Sequence, residues 1–384
     1  MMAFAILESF CFRWPNLCRQ LSRIQFAVLV ILVVAKYALG PDIIVYLPQF
    51  RLIEPLSSLF QHPFQTDREP AWCWFISICA NCGMTFWMMT AFISLLYYGA
   101  VFCLWRKVRF APCMVLFLLT LLDYNLVLYE LRQCLAVSFF LYTIILLMGE
   151  KKHYFWAVCL LVLCALSHKS GIFMVVLTGM AYGLYHIRVD YRSYFLLLSL
   201  LIGLAILPAI AFTPIINLLP DSIAGSLALH VSAHQMIQTV APIYFLGILL
   251  IGYHAHFEEE NKKWHWMIWC ALAIIACLYA YWFLLNRLRS YFILFILVYG
   301  AHILHTSERK NVLPRQFFSL ILYLYAGLFI YTNITIPVHS KTNAVSTVFE
   351  RKHLSQSELE ERQMKEAIKY WKEDYPNLRK KGIK

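Results

Sequence analysis

The chain has 384 residues, of which 61% are hydrophobic and only 14% charged. Soluble globular domains sit near about 45–50% apolar and about 25% charged, so this composition excludes a soluble enzyme, a disordered chain and a secreted disulfide scaffold. The formal charge of +12 comes in short clusters between apolar runs, which is the pattern of membrane orientation signals and not of a nucleic-acid-binding face.

An apolar run of about 17–25 residues is long enough to cross the hydrocarbon core as a helix. Eleven such runs are predicted, at 22–39, 85–105, 110–129, 131–149, 153–168, 170–186, 193–217, 239–254, 266–285, 288–305 and 316–335. The first follows Arg13, Arg19 and Arg23 and reads as an uncleaved signal anchor, because ten more runs follow it. Segment 71–82 is apolar but short, which predicts a re-entrant or interfacial helix. The fold class is therefore all-α and polytopic, with residues 1–335 as the transmembrane domain. Residues 336–384 form a basic, partly helical soluble tail, with a helix-like stretch from Ser355 to Trp371.

Orientation follows from Lys and Arg. One set of loops, within 13–23, 106–109, 151–152, 188–192, 262–263 and 309–315, carries fifteen of them. The alternating set carries six: Arg51, Arg68, Arg132, Lys169, Arg287 and Arg289. The N-terminus is thus expected in the cytoplasm. Eleven spans would put the tail outside, whereas its positive charge favours the inside. Most of the twelve cysteines lie in apolar runs and serve as small hydrophobes. Cys79-x-x-Cys82 has no second pair to make a zinc site. His254, His256, Glu258 and His265 read as solvated loop residues. No metal or cofactor is expected. Nucleotide-binding and serine-hydrolase motifs are absent from the sequence.

The outer-side charges sit beside other polar groups at span ends. Asp42 and Tyr46 open the first outer loop, and Arg68-Glu69-Pro70 closes it. Asp123, Glu130, Arg132 and Gln133 lie between the third and fourth spans, and His168-Lys169-Ser170 between the fifth and sixth. Asn286-Arg287-Leu288-Arg289-Ser290-Tyr291 lies between the ninth and tenth. Ionisable residues at membrane depth are costly and generally pair or line a cavity. Arg132, Lys169, Arg287 and Arg289 offer an anion site, since a guanidinium fork suits phosphate oxygens. Glu69, Glu130, Asp42 and His168 are candidate proton acceptors. Together they suit a lipid-linked diphosphate at the outer leaflet. The competing reading is a set of structural ion pairs at span ends.

The ordered clusters resemble the EpsG family, related in role to Wzy-type polysaccharide polymerases. Leu131-Arg132-Gln133-Cys134-Leu135-Ala136 resembles the family's Arg-Gln-x-x-Ala entry into a span, and Ala165-Leu166-Ser167-His168-Lys169-Ser170 its Ala-x-x-His-x-Ser turn. Asn286 through Phe292 resembles its Arg-x-x-x-Tyr-Phe segment. Glu69-Pro70-Ala71 resembles its Glu-Pro-Gly, with Ala71 in place of the Gly. The resemblance spans roughly 40–335.

It implies a GT-C-like glycosyltransferase that polymerises polyprenyl-diphosphate-linked oligosaccharide repeat units at the outer face of the bacterial inner membrane. The product would be O-antigen, capsule or exopolysaccharide. The lipid bilayer and a chain-length regulator and flippase of the same pathway would be its partners, with no nucleic acid. In this frame Arg132, Arg287, Arg289 and Lys169 hold the diphosphate. Gln133, Asn286, Tyr291 and Tyr46 support them. The base is Glu69 ahead of His168, by analogy with first-loop acids of GT-C-like folds, with Glu130 and Asp42 behind. The alternatives are a flippase without chemistry and a membrane acyltransferase acting on surface glycan.

Overall fold

The computed structural model describes residues 1–11, 14–37, 43–53, 55–61, 69–106, 108, 111–128, 130–149, 153–187, 288–295, 297–298, 301, 346–347 and scattered positions between 355 and 368. Among the described residues of the first half lie ten helices: α1 (Met2–Phe10), α2 (Pro15–Val34), α3 (Ile43–Arg51), α4 (Leu56–Gln61), α5 (Pro70–Asn81), α6 (Phe86–Trp105), α7 (Pro112–Leu128), α8 (Leu131–Met148), α9 (Tyr154–Ser167) and α10 (Ser170–Ile187). Two short strands, β1 (Lys36–Tyr37) and β2 (Ser346–Thr347), pair antiparallel. Contacts divide the chain into one unit of Met1–Gly171 with Leu313–Lys384 and a second of Ile172–Val312.

The described helices follow the apolar runs. Helices α2 and α6 have the length and apolarity to cross a membrane, and shorter apolar helices occupy Pro112–Asp123, Leu131–Leu147, Tyr154–Ser167 and Ser170–Gly179. This is a helical membrane protein. The predicted runs at 193–217, 239–254, 266–285 and 316–335 lie outside the described residues. Segment 71–82 is helical over Pro70–Asn81, only 12 residues, too short to span. The structure adds α1, α3 and α4, which are too short to stand out as spans in the sequence. Helix α2 begins at Pro15 and not at residue 22, because proline is pre-shaped for the first helical position and the polar Asn16-to-Arg23 turns extend the apolar run toward the interface.

Helix ends in a low-dielectric surround must satisfy their own backbone groups. At α6 the Thr85 hydroxyl accepts from Met88 N at 3.3 Å, an N-cap. At α7 the task passes to a different helix. The Glu8 carboxylate of α1 accepts from Cys113 N at 3.1 Å and Met114 N at 3.0 Å, and Glu8 is buried. A negative group there also complements the helix dipole. Gln25 of α2 donates to the Cys113 carbonyl at 3.1 Å, so α1, α2 and α7 are tied at one point.

Within the first unit α8 packs chiefly on α9 and α6, α2 on α6 and α7, and α5 on α9, α4 and α3. Trp72, Ile76, Met89, Ile93, Tyr97 and Phe140 are fully buried in this core. Gly99 permits the α6–α8 approach: a Cβ there would stand 2.7 Å from the Tyr142 hydroxyl, closer than non-bonded atoms pack.

The β1–β2 pairing has a topological consequence. Lys36 pairs with Thr347 and Tyr37 with Ser346, so these tail residues share a membrane face with the end of α2. With the native cysteines removed, Tyr37→Cys and Ser346→Cys should label with an impermeant thiol reagent from the same side and cross-link to each other. Labelling from opposite sides would contradict the pairing.

Candidate functional site

Arg132 is the second residue of α8. Its Nη1 donates to Glu69 Oε2 at 2.7 Å, and its Nε to the Tyr46 hydroxyl at 3.4 Å. The guanidinium carbon also lies 5.6 Å from the Tyr46 ring centroid, within cation–π range. Three elements far apart in sequence thus converge: α3, the entry to α5, and the entry to α8. The side chains of Arg132 and Glu69 are 22% and 12% exposed, so the pair is largely desolvated yet open to a ligand.

Local sequence explains each placement. Glu69 precedes Pro70 and is held extended at φ −64°, ψ 128°, as a pre-proline residue must be. Its carboxylate therefore projects from the mouth of α5 without being drawn into the helix. Tyr46 is braced by Trp72, ring centroids 5.3 Å apart at 60°, and Trp72 Nε1 donates to Gln49 Oε1 at 3.4 Å. Trp72 is fully buried, so this brace is part of the α3–α5 packing.

Burial raises the Glu69 pKa, but the Arg132 charge and the hydrogen bonds to the carboxylate lead the influences that outweigh it. The carboxyl is held below its ordinary value of 4.5. Glu69 is therefore a weak base while Arg132 holds it.

The α9–α10 turn supplies the second part. His168 caps the end of α9 in extended geometry, φ −159°, ψ 139°, and is 6% exposed. Its Nδ1 accepts from Ser170 N at 3.2 Å and lies 2.6 Å from Ser170 Oγ, while Gly171 N donates to the His168 carbonyl at 2.8 Å. A Cβ at Gly171 would run into the Cys164 carbonyl, so glycine is what lets the turn close. The α5–α9 packing brings this turn within electrostatic reach of Glu69.

The other predicted residues are distributed more widely. Lys169 is exposed on the turn. Glu130 is the half-buried N-cap position of α8, and Gln133 is buried. Arg289 and Tyr291 lie on the helical stretch 288–295 of the second unit, Tyr291 fully buried. Asp42, Asn286 and Arg287 lie outside the described residues. Asp123 is not in the turn but inside α7, where it is buried and accepts from the Tyr97 hydroxyl at 2.8 Å. Trp72 and Gln49 brace the site without having been singled out from the sequence, where they read as ordinary members of apolar segments.

Two outcomes follow. Gly171→Ala forces the His168 turn apart at an overpacking cost of about 1–3 kcal/mol and should lower folded protein far more than Gly179→Ala, whose Cβ meets open space. Comparison of the two melting temperatures checks this. The second concerns pH. Because the folded Glu69 pKa lies below 4.5, its pairing contributes stability that is fully present above that value and lost as pH falls through the lower folded value. The stability gap between the native chain and Glu69→Gln should hold steady from about pH 8 to about pH 5 and narrow only below.

No curated protein and no solved structure matches the chain. Residues 21–344 match the EpsG family, a region that takes in every described element of the Arg132–Glu69–Tyr46 and His168–Ser170 arrangements. The chain belongs to the EpsG family.

Proposed function

We propose that this protein is a glycan polymerase of the bacterial inner membrane, joining polyprenyl-diphosphate-linked oligosaccharide repeat units at the outer face. The observation that carries the reading is the 2.7 Å Arg132–Glu69 pair. It sets an anion-binding fork and a proton acceptor against each other at the mouths of apolar helices.

The reaction needs both. The anomeric carbon of the growing chain is attacked by a hydroxyl of the next unit while the diphosphate departs. Charge on the departing diphosphate must be stabilised, and the hydroxyl proton must go to a base within hydrogen-bond reach. In the free protein each group neutralises the other. A diphosphate competing for the guanidinium, which suits two anionic oxygens at once, releases the carboxylate. Freed from Arg132, the carboxylate loses two of the influences that lower its pKa while burial still raises it, and it becomes a stronger base. Base strength then appears only when the donor is in place. Lys169, exposed on the neighbouring turn, adds cationic charge for the chain's diphosphate in this scheme. A chain-length regulator and a flippase of the same pathway would deliver and terminate the substrate.

Deletion of the gene should leave single repeats on the lipid carrier with no polymer ladder on a gel. Complete loss of external material would indicate a flippase. Arg132→Ala, at normal protein level, should lower polymer by roughly 10²-fold or more, in line with the loss of other electrostatic stabilisers. Arg132→Lys should also be poor, since a point charge lacks the fork. A near-normal ladder from Arg132→Ala would overturn the assignment.

A further inference from the structure

We propose that His168 serves the polymerase reaction as a neutral hydrogen-bond donor from Nε2, to an anionic oxygen of the substrate diphosphate, and not as a proton acceptor. The proposal rests on the polymerase reading and adds to it the direction of the hydrogen bond.

One donor at this turn cannot rotate. Ser170 N points its hydrogen at His168 Nδ1 at 3.2 Å. A backbone N–H only donates, so Nδ1 must present its lone pair. The Ser170 hydroxyl, 2.6 Å from the same nitrogen, is the donor of that contact once Nδ1 presents its lone pair. An Nδ1 that accepts from a backbone N–H carries no proton. The neutral ring then bears its single proton on Nε2, and the tautomer follows from the hydrogen bond made by the other nitrogen. Protonating the ring would set an N–H against the Ser170 N–H and break the turn.

The turn is built to keep this arrangement. His168 is extended at the end of α9, its carbonyl accepts from Gly171 N at 2.8 Å, and the absent side chain of Gly171 lets Cys164 come close. The ring is 6% exposed, so water does not compete strongly for it. Anions are its neighbours: Glu69 lies within electrostatic reach, and a diphosphate seated on Arg132 would add a second. A fixed N–H suits that surround; a second proton acceptor beside Glu69 does not. The competing role for the same geometry is local: Nδ1 caps the first turn of α10 as an Asn or Asp side chain would.

Two substitutions separate the ring's two nitrogens. His168→Asn places an acceptor where Nδ1 stands and removes the Nε2–H. His168→Gln places an amide N–H near Nε2 and can take no proton. Each is expressed as the full chain in the deletion strain, with protein level and ladder length measured. The expected result is long chains from His168→Gln, within roughly 10-fold of the native yield. His168→Asn should fall by roughly 10²-fold toward single repeats, at normal protein level. Long chains from His168→Asn would overturn the proposal, leaving the ring a cap only. Single repeats from both, at normal level, would overturn it in favour of a proton acceptor. If either variant fails to accumulate, Nε2-methylhistidine at 168 keeps Nδ1 and ring shape; loss of long chains supports a substrate-facing Nε2 over a cap alone, and a normal ladder overturns the proposal. A ladder that survives gene deletion would remove the polymerase reading itself, which none of these variant outcomes does.

Discussion

The contact between Arg132 and Glu69 is the constraint around which the described half of the molecule is arranged. An isolated guanidinium or carboxylate at this depth would carry a desolvation cost that neither α8 nor α5 could offset alone. Brought together at 2.7 Å, each makes the other tolerable, and Tyr46 shares the charge through its hydroxyl and ring face. The pair also ties the entry of α8 to α3 and α5, which already meet through Trp72, Tyr46 and Gln49. Buried pairs of this kind are weak sources of net stability but strong sources of specificity in some systems, and here the specificity lies in bringing α5 and α8 into register.

The rest of the first unit applies the same rule, that polar groups in an apolar surround find partners within the protein. Glu8 caps α7 from another helix. Asp123 accepts from Tyr97 deep between α7 and α6. Ser138 and Thr143 bond back to carbonyls four residues earlier, which lets hydroxyls sit inside apolar helices. The Arg132–Glu69 pair differs from these because its members keep partial exposure. The structural pairs are sealed, whereas the proposed functional pair can be approached.

Helix identity was legible in the sequence because long apolar runs allow few other structures: α6, α8, α9 and α10 begin and end within a few residues of the runs that predict them. The short helices were not, since α1, α3 and α4 have neither length nor a strong period. Glu69, Arg132 and His168 could be picked out as costly residues at span ends, and Tyr46 by its place near Asp42. Their convergence could not be read, because pairing across 63 residues depends on how helices pack and leaves no local pattern. Trp72 shows the same limit: a tryptophan in an apolar stretch is identical in sequence whether it faces lipid or braces a site. Asp123 shows the converse. Its charge suggested a turn, but a tyrosine on the neighbouring helix makes it affordable inside one.

The central claim is that diphosphate and Glu69 compete for Arg132, and it is most directly tested at the carboxyl itself. Infrared difference spectra between the native protein and Glu69→Gln, in lipid, isolate the Glu69 carboxyl band across a pH titration. Without ligand it should titrate below the ordinary glutamate range; with polyprenyl diphosphate bound it should titrate above that range. The same titration with and without the lipid diphosphate would mean that Arg132 never lets Glu69 go, and that the pair is structural.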